Sequence, residues 1–324
     1  MVDWIRKGLL AAGLTCGLVG AASIAVAQTP TKVSVGILKM AALTNPWVAQ
    51  QEDIFKKNGL EVRLVEFRTG NEAIAALQGG SVEIALAIPG TAMTAIERGF
   101  DLVAIAQNEV ARAKGPDSGS LQVLVDSPIK SLADLAGKKV GVSSLHSQNT
   151  VGVQKIIAAA GVDIKKVQFV ELPFPSHADS LRSKQIDAVA TVDPYTTQLQ
   201  ASGVGRVLSW NYVESIPEQP LGAWFAKGAY IKRNPDVADK FALSIRESID
   251  YMNKDEERAR EAVVKFTGLK PELVKDMPLI QWDYRVKLSK WQEVIDLMKG
   301  SGALQKDHKA EAFMSDRLKP YIVE

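Results

Sequence analysis

Six times along this chain an apolar run ends, a Ser, Thr, Asn or Asp follows, and a helix-like pattern begins. The unit reads VSVGILKMAALTNPW at 33–47, VRLVEFRTGNEA at 62–73 and VEIALAIPGTAMTAI at 82–96. It returns as VGVSSLHSQNTVGV at 140–153, VQFVELPFPSHAD at 167–179 and AVATVDPYTT at 188–197. Short apolar strands alternating with helical segments build βα units around a parallel sheet, so the fold class is α/β. In open sheets of this kind the ligand crevice lies beyond the carboxyl ends of the strands. Helix starts there carry unpaired N–H groups and partial positive charge, which suits a small anion. The repetition therefore points to a receptor for a small polar molecule.

Arg6 and Lys7 precede a largely apolar stretch at 9–26, and AVAQ at 25–28 places small residues where a signal peptidase reads them. This predicts a signal peptide over 1–27, cut after Ala27, with an uncleaved anchor as the alternative. Lipidation at Cys16 is a further alternative, although Gly13-Leu14-Thr15 makes a poor lipidation box. The rest of the chain is long for one core and comfortable for two lobes. Losing Arg6, Lys7 and Asp3 lowers a net charge of +2 by one. A near-neutral chain has no electrostatic footprint for nucleic acid or an anionic membrane. Cys16 is the only cysteine, so cleavage leaves no disulfide, thiol nucleophile or Cys-ligated metal. An exported chain without disulfides is expected in a bacterial periplasm.

Local signals divide the chain further. Asn45 is expected to cap a helix with Pro46 in its first position, and Gly59 to end it. Thr69 or Asn71 caps an Ala-rich helix ending at Gly79-Gly80, and Thr91 begins another ending at Gly99. Residues 101–107 read as a strand, the polar 108–120 as a loop and 121–126 as a strand. Ser131 and Asp134 have near capping-box spacing, and Val153, Ile156, Ile157 and Ala160 form one helical stripe closed by Gly161. Residues 221–231 read as a strand leading back, and the charge-rich 234–266 as one or two amphipathic helices. Two βα series joined by extended segments near 107–121 and 214–226 predict a clamshell.

The segments GLEVRLVEFRTGNEAIAALQGGSVEIALA (59–87), IKSLADLAGKKVGV (129–142), LRSKQIDAVATVDPY (181–195) and GAWFAKGAYIKRNPDVADKF (222–241) carry a resemblance. The chain resembles the periplasmic substrate-binding proteins of nitrate/sulfonate/taurine-type ABC importers, within the NMT1/THI5-like family, which also includes thiamine-precursor-binding and synthesising proteins. The resemblance covers nearly all of the chain beyond the leader. It implies a type II periplasmic-binding fold, with two α/β lobes, a hinge and an interlobe ligand cleft. Lobe 1 would comprise 28–112 and 222–324 with the C-terminal helices, and lobe 2 would comprise 113–221. It further implies a small anionic or zwitterionic solute, an inner-membrane ABC permease as partner, no cofactor and a monomer. Nitrate, alkanesulfonates, taurine, a thiamine-precursor pyrimidine and aromatic acids remain open as solutes. A periplasmic ligand sensor docking on a receptor is the alternative role.

The candidate ligand-binding residues sit at the corners. In the first series these are Lys39 and Met40, then Thr69, Gly70 and Asn71, then Pro89, Gly90 and Thr91. Gly70 and Gly90 would admit close backbone approach, or serve turn geometry alone. In the second series Ser143, Ser144, Ser147, Gln148, Asn149 and Thr150 form a hydroxyl-rich turn suited to cradling an anion, or a plain capped loop. The resemblance implies the cradling role, although SSLHSQNT lacks the glycine-bearing turn common in sulfonate binders. Asp193 either caps a helix that Pro194 begins or faces the cleft to accept a hydrogen bond from a ligand amine or amide, with Tyr195 stacking or donating. Val192 stands where sulfonate binders of the family often carry Trp. Trp224 lies by the second crossing and reads as core packing or a ligand platform, as do Trp47 and Phe225; Trp282 and Tyr284 could close over the cleft.

Enzyme readings find no support in the motifs. His146, His177 and His308 are too scattered for a metal box, and no GxSxG elbow, P-loop or GxGxxG stands in a fitting context. The pyrimidine-synthesising relatives use a cysteine-rich iron motif, which the chain beyond its leader lacks. No catalytic residue and no metal is expected.

Overall fold

The computed structural model describes residues 29–323; the signal-peptide and Cys16 readings fall outside those residues. Two sheets organise the chain. The first contains β1 (Thr31–Leu38), β2 (Leu60–Phe67), β3 (Ile84–Ala87) and β4 (Leu102–Val110). The second contains β5 (Gly119–Leu124), β6 (Lys139–Val142), β7 (Gln168–Glu171), β8 (Ala188–Val192) and β9 (Gly205–Ser209). The chain then returns to the first sheet as β10 (Pro220–Lys227) and a short β11 (Gln281–Trp282).

The first sheet has six strands in the order β11-β4-β10-β3-β1-β2, and the second has five in the order β7-β6-β8-β5-β9. β1 pairs in parallel with β2 and β3, and β6 pairs in parallel with β7 and β8. Reversed strands complete each sheet: β10 lies antiparallel between β3 and β4 with β11 antiparallel to β4 at the edge, and β5 lies antiparallel between β8 and β9. Both halves thus share one plan, in which the carboxyl ends of the βα strands open toward the same edge.

The strands are apolar because helices cover both faces. Val33, Val35, Ile37 and Leu38 of β1 are all buried. The long helix Pro235–Asn253 lays Phe241, Ile245 and Ile249 on the first sheet's core, beside Trp224 of β10. A smaller core of Leu121, Val140, Val142, Val153, Ile157 and Ala190 holds the second sheet. No helix among the described residues is long and apolar enough to cross a membrane.

Several boundaries differ from the sequence expectation, each for a tertiary reason. β4 runs on through Asn108 and Glu109, which had read as loop. Asn108 is fully buried yet satisfied: its amide nitrogen donates to the Ala42 carbonyl (3.0 Å), and its oxygen accepts from Asn45 (2.9 Å) and from the Trp224 indole (2.9 Å). Asn45 therefore does not cap; it lies inside the helix Thr44–Gln51 with its side chain spent on Asn108. Pro89, not Thr91, opens the next helix, Pro89–Glu97, since a first-position proline lacks the N–H that would go unpaired. β10 stops at Lys227, where the helix Gly228–Arg233 begins. The charge-rich run is two helices, Pro235–Asn253 and Glu256–Thr267, the second capped by Asp255 at the Arg258 amide.

Two segments, 111–118 and 210–219, connect the sheets. The Ala111 amide donates to the Gln219 carbonyl (2.9 Å), so the crossings brace one another. The Tyr212 ring lies against Gly119, where an added Cβ would fall 2.2 Å from its Cδ2.

Candidate functional site

All six corners converge on one cavity. The first sheet contributes Leu38 and Met40 after β1, the run Arg68 to Asn71 after β2, and Leu86 to Ile88 with Thr91 after β3. The second contributes Ser143, Ser144 and Ser147 after β6, Pro173 and Phe174 after β7, and Val192 at the end of β8. Ile74, one helical turn beyond Gly70, completes the wall.

Two capped helices start at this cavity from opposite lobes. Thr69 accepts from the Glu72 amide (3.2 Å) to begin Gly70–Gly79, while the Glu72 carboxylate reaches back to the Arg68 amide (3.0 Å). Ser147 accepts from the Thr150 amide (3.2 Å) to begin Gln148–Ala159. No Asp or Glu lines the inner cavity among the described residues. Arg68 is the one basic residue of that lining; it is exposed and also borders the neighbouring outer recess. The arrangement offers an anion N–H groups, hydroxyls and a guanidinium, backed by apolar side chains that fit a small organic body.

A second, outer recess adjoins the first. Lys39, Glu66, Phe67, Pro175 and Tyr195 line it, together with Leu38, Met40, Arg68, Pro173 and Phe174, which face both spaces. Phe174 stacks on Tyr195 with centroids 5.8 Å apart and planes 12° apart, and meets His177 edge-on at 5.3 Å. His177 is buried against the Leu172 carbonyl (3.0 Å), and that burial pulls its imidazole down to about 4, so the ring is neutral near pH 7.

The sequence candidates divide clearly. Met40, Thr69, Gly70, Asn71, Thr91, Ser143, Ser144 and Ser147 line the inner cavity, and Lys39 and Tyr195 line the outer recess. Pro89, Gly90, Asn149, Thr150, Asp193 and Trp224 line neither. Gly90 instead joins the lobes: its amide donates to Gln148 Oε1 (3.0 Å), and Gln148 Nε2 donates on to Gln219 (2.6 Å) and the Pro220 carbonyl (2.8 Å). Asn149 accepts from Asn211 (2.6 Å), and Thr150 donates to the Ser144 carbonyl (2.6 Å). Trp224 is fully buried against Phe241 and Asn108. Trp282 donates to the Ala42 carbonyl (2.9 Å), Tyr284 packs edge-on against Tyr321, and Trp47 packs on Phe266, so none of the three closes the cleft. His146 lies exposed in a separate surface hollow with Arg98 and Lys306.

Asp193 sits one residue past the lining Val192 but is only 2% exposed. Its Oδ1 accepts from the Thr197 amide (3.0 Å) and hydroxyl (2.7 Å), in the first turn of the helix Tyr195–Ala201. Asp193 is not the N-cap and Pro194 does not open the helix: Pro194 holds the cap position and Tyr195 comes first. Burial pushes its carboxyl up to about 7, against the pull of the Thr197 bonds and with the negative Asp117 adding to the rise. Glu109 behaves alike: burial lifts it to about 7, opposed by the Asn108 amide (2.7 Å). Burial also raises Asp117, which accepts from the amides of Ser118 and Arg112. Three buried carboxyls thus gather at the crossings. Among the described residues no group of three or more His, Cys, Asp or Glu could hold a metal ion.

Arg68, Ile74, Pro173 and Phe174 were not anticipated. Phe174 had a readable signal, an aromatic between two prolines directly after a strand. Arg68 reads in sequence as a strand-end charge, and only the meeting of the lobes gives it a partner space.

Comparison with known proteins places this geometry. A binding protein of Brucella abortus is 24% identical over 220 residues, covering 68% of this chain and 66% of the relative, a little under two thirds of its length. The binding protein YtlA of Bacillus subtilis is 21% identical over 319 residues, 94% of both chains. The crystal structure of the periplasmic aliphatic sulphonate binding protein SsuA from Escherichia coli superposes with a TM-score of 0.73 at 20% identity, covering 89% of this chain and 99% of that one. The shared architecture is the type II periplasmic-binding fold of two α/β lobes. The profile of the family described as NMT1/THI5 like matches residues 41–259. With its six strand-end corners closed around one cavity, the chain belongs to the NMT1/THI5-like family.

Proposed function

We propose that this protein is the periplasmic solute-binding component of an ABC importer and that its solute is a small organic anion. One observation carries the reading. Helix starts from two lobes open onto a single apolar-walled cavity whose lining includes the exposed Arg68 and, among the described residues, no acidic residue. An anion held there gains charge-assisted hydrogen bonds, and its apolar body leaves water. Residues from both lobes line the cavity, so binding favours the closed arrangement and could present it to a permease. SsuA, a sulphonate binding protein, and the two relatives named as binding proteins agree with such a role.

A thermal-shift screen of residues 28–324 against nitrate, sulfonates, taurine, pyrimidines and aromatic carboxylates tests the reading. A ligand selective for the folded state is expected to raise Tm saturably, by about 3 kcal/mol of stability at 100-fold excess over Kd. Thr69→Val and Ser147→Ala remove a cap at the cavity and are each expected to weaken the hit by about 1 kcal/mol. No shift with any organic anion, together with no small molecule released on denaturation, would overturn the proposal.

A further inference from the structure

Resting on that reading, we infer that the cavity selects an organic anion with a ring-sized apolar body and no ammonium group, and rejects the zwitterion of the same shape. The first ground is what an ammonium would meet. It needs a carboxylate or several free carbonyl acceptors, and burying it without them is costly. The Ser144 carbonyl is already taken by the hydroxyls of Ser147 and Thr150. The Thr91 carbonyl is taken by the Thr94 hydroxyl (2.7 Å). Among the described residues no acid lines the cavity; the nearby Asp193, with its Oδ1 on Thr197 and its Oδ2 unpartnered, is buried outside the lining. Glu66 reaches only the outer recess, beside Lys39 and Arg68.

The second ground is the opposite wall. Leu38, Met40, Ile74, Leu86, Phe174 and Val192 present more apolar surface than an inorganic ion could cover. Phe174 is held by Tyr195 on its face and His177 at its edge, so it offers a fixed aromatic surface to the cavity. Met40 lines the same cavity from the other lobe with a polarisable thioether. A flat ring would fit between the two, with its carboxylate or sulfonate toward the helix starts that follow Thr69 and Ser147.

Calorimetry with matched pairs tests this: 3-phenylpropanoate against L-phenylalanine, and ethanesulfonate against taurine. The carboxylate and sulfonate arms separate the two possible head groups. Each anion is expected to bind at least about 100-fold more tightly than its zwitterion, the scale of discrimination when a buried polar group lacks a partner. 3-Phenylpropanoate is expected to bind more tightly than ethanesulfonate. Asn71→Asp adds a carboxylate in the first turn of Gly70–Gly79, where negative charge suits the helix, so the fold is expected to persist. It should weaken the anions by about tenfold or more and narrow the gap to the zwitterions. A zwitterion binding within tenfold of its anion, ethanesulfonate matching 3-phenylpropanoate, or an unchanged gap in the variant would overturn the inference and leave the importer proposal standing. Failure of every anion in the panel would overturn the proposal itself.

Discussion

Glu109→Gln is expected to leave stability nearly unchanged near pH 5 and to raise it near pH 8.5. The wild-type carboxyl is buried and has its pKa lifted from 4.5 to about 7, chiefly by desolvation. Between those two values the folded protein holds a proton that the unfolded chain has released. The stabilising contribution is therefore full below about pH 4.5 and is lost as pH rises through about 7. A rise of this kind amounts to a few kcal/mol at full titration. Glutamine keeps the shape, can still accept from the Asn108 amide through its own oxygen, and never ionises. Thermal unfolding across the range should show a Tm gap that opens with pH to on the order of 5 °C. Asp193→Asn should behave similarly, because asparagine retains an oxygen for the two Thr197 donors. A gap that stays constant across pH would mean that Glu109 does not titrate in this window.

Gly119→Ala is expected to be among the most damaging single-methyl additions in the chain. Gly119 opens β5 opposite Val192 of β8, and Tyr212 from the other crossing covers it. A Cβ there would stand 2.2 and 2.3 Å from two ring carbons, and the ring has little room to retreat because Tyr212 is only 4% exposed. Gln219 also ties the Tyr212 carbonyl in place (2.8 Å). Overpacking at such a point costs about 3 kcal/mol. Gly36→Ala supplies the control: its nearest neighbours would be Phe67 Cε2 at 3.0 Å and Ala85 Cβ at 3.1 Å, and Phe67 is only half-buried. Denaturant melts should rank Gly119→Ala well below Gly36→Ala. The reverse order would mean that Tyr212 moves freely and that the crossings are looser than their contacts indicate.

The strand-and-corner plan was legible because it is local. A strand's apolar run, the hydroxyl after it and the cap geometry all lie within a few residues, as Thr69 with Glu72 and Ser147 with Thr150 show. What was not legible depends on partners far along the chain. Asn108 and Glu109 look like loop because they are polar, yet they continue β4, where Ala42, Asn45 and Trp224 satisfy Asn108. Trp224 looks available for a ligand until its indole is seen bonded to Asn108 inside the core. Asp193 was ambiguous because capping and ligand binding ask the same of a strand-end carboxylate; the Thr197 donors account for one of its oxygens. Phe174 and Arg68 gain their meaning only when the lobes are brought together.

Leu38, Met40, Arg68, Pro173 and Phe174 face both the inner cavity and the outer recess, so the two spaces share a wall contributed by both halves of the protein. On the proposed function, a solute that reaches the inner cavity from the recess passes this wall, and the expected kinetics follow if the halves must part to admit it. At low concentration the observed association rate rises with solute, as in any encounter. At high concentration it should level off at the rate at which the halves part, on the microsecond-to-millisecond scale of such motions. Stopped-flow mixing would then find one ceiling shared by solutes of different affinity. Residence time, if set by the same parting of the halves, would distinguish a protein that holds its cargo for delivery from one that merely samples it.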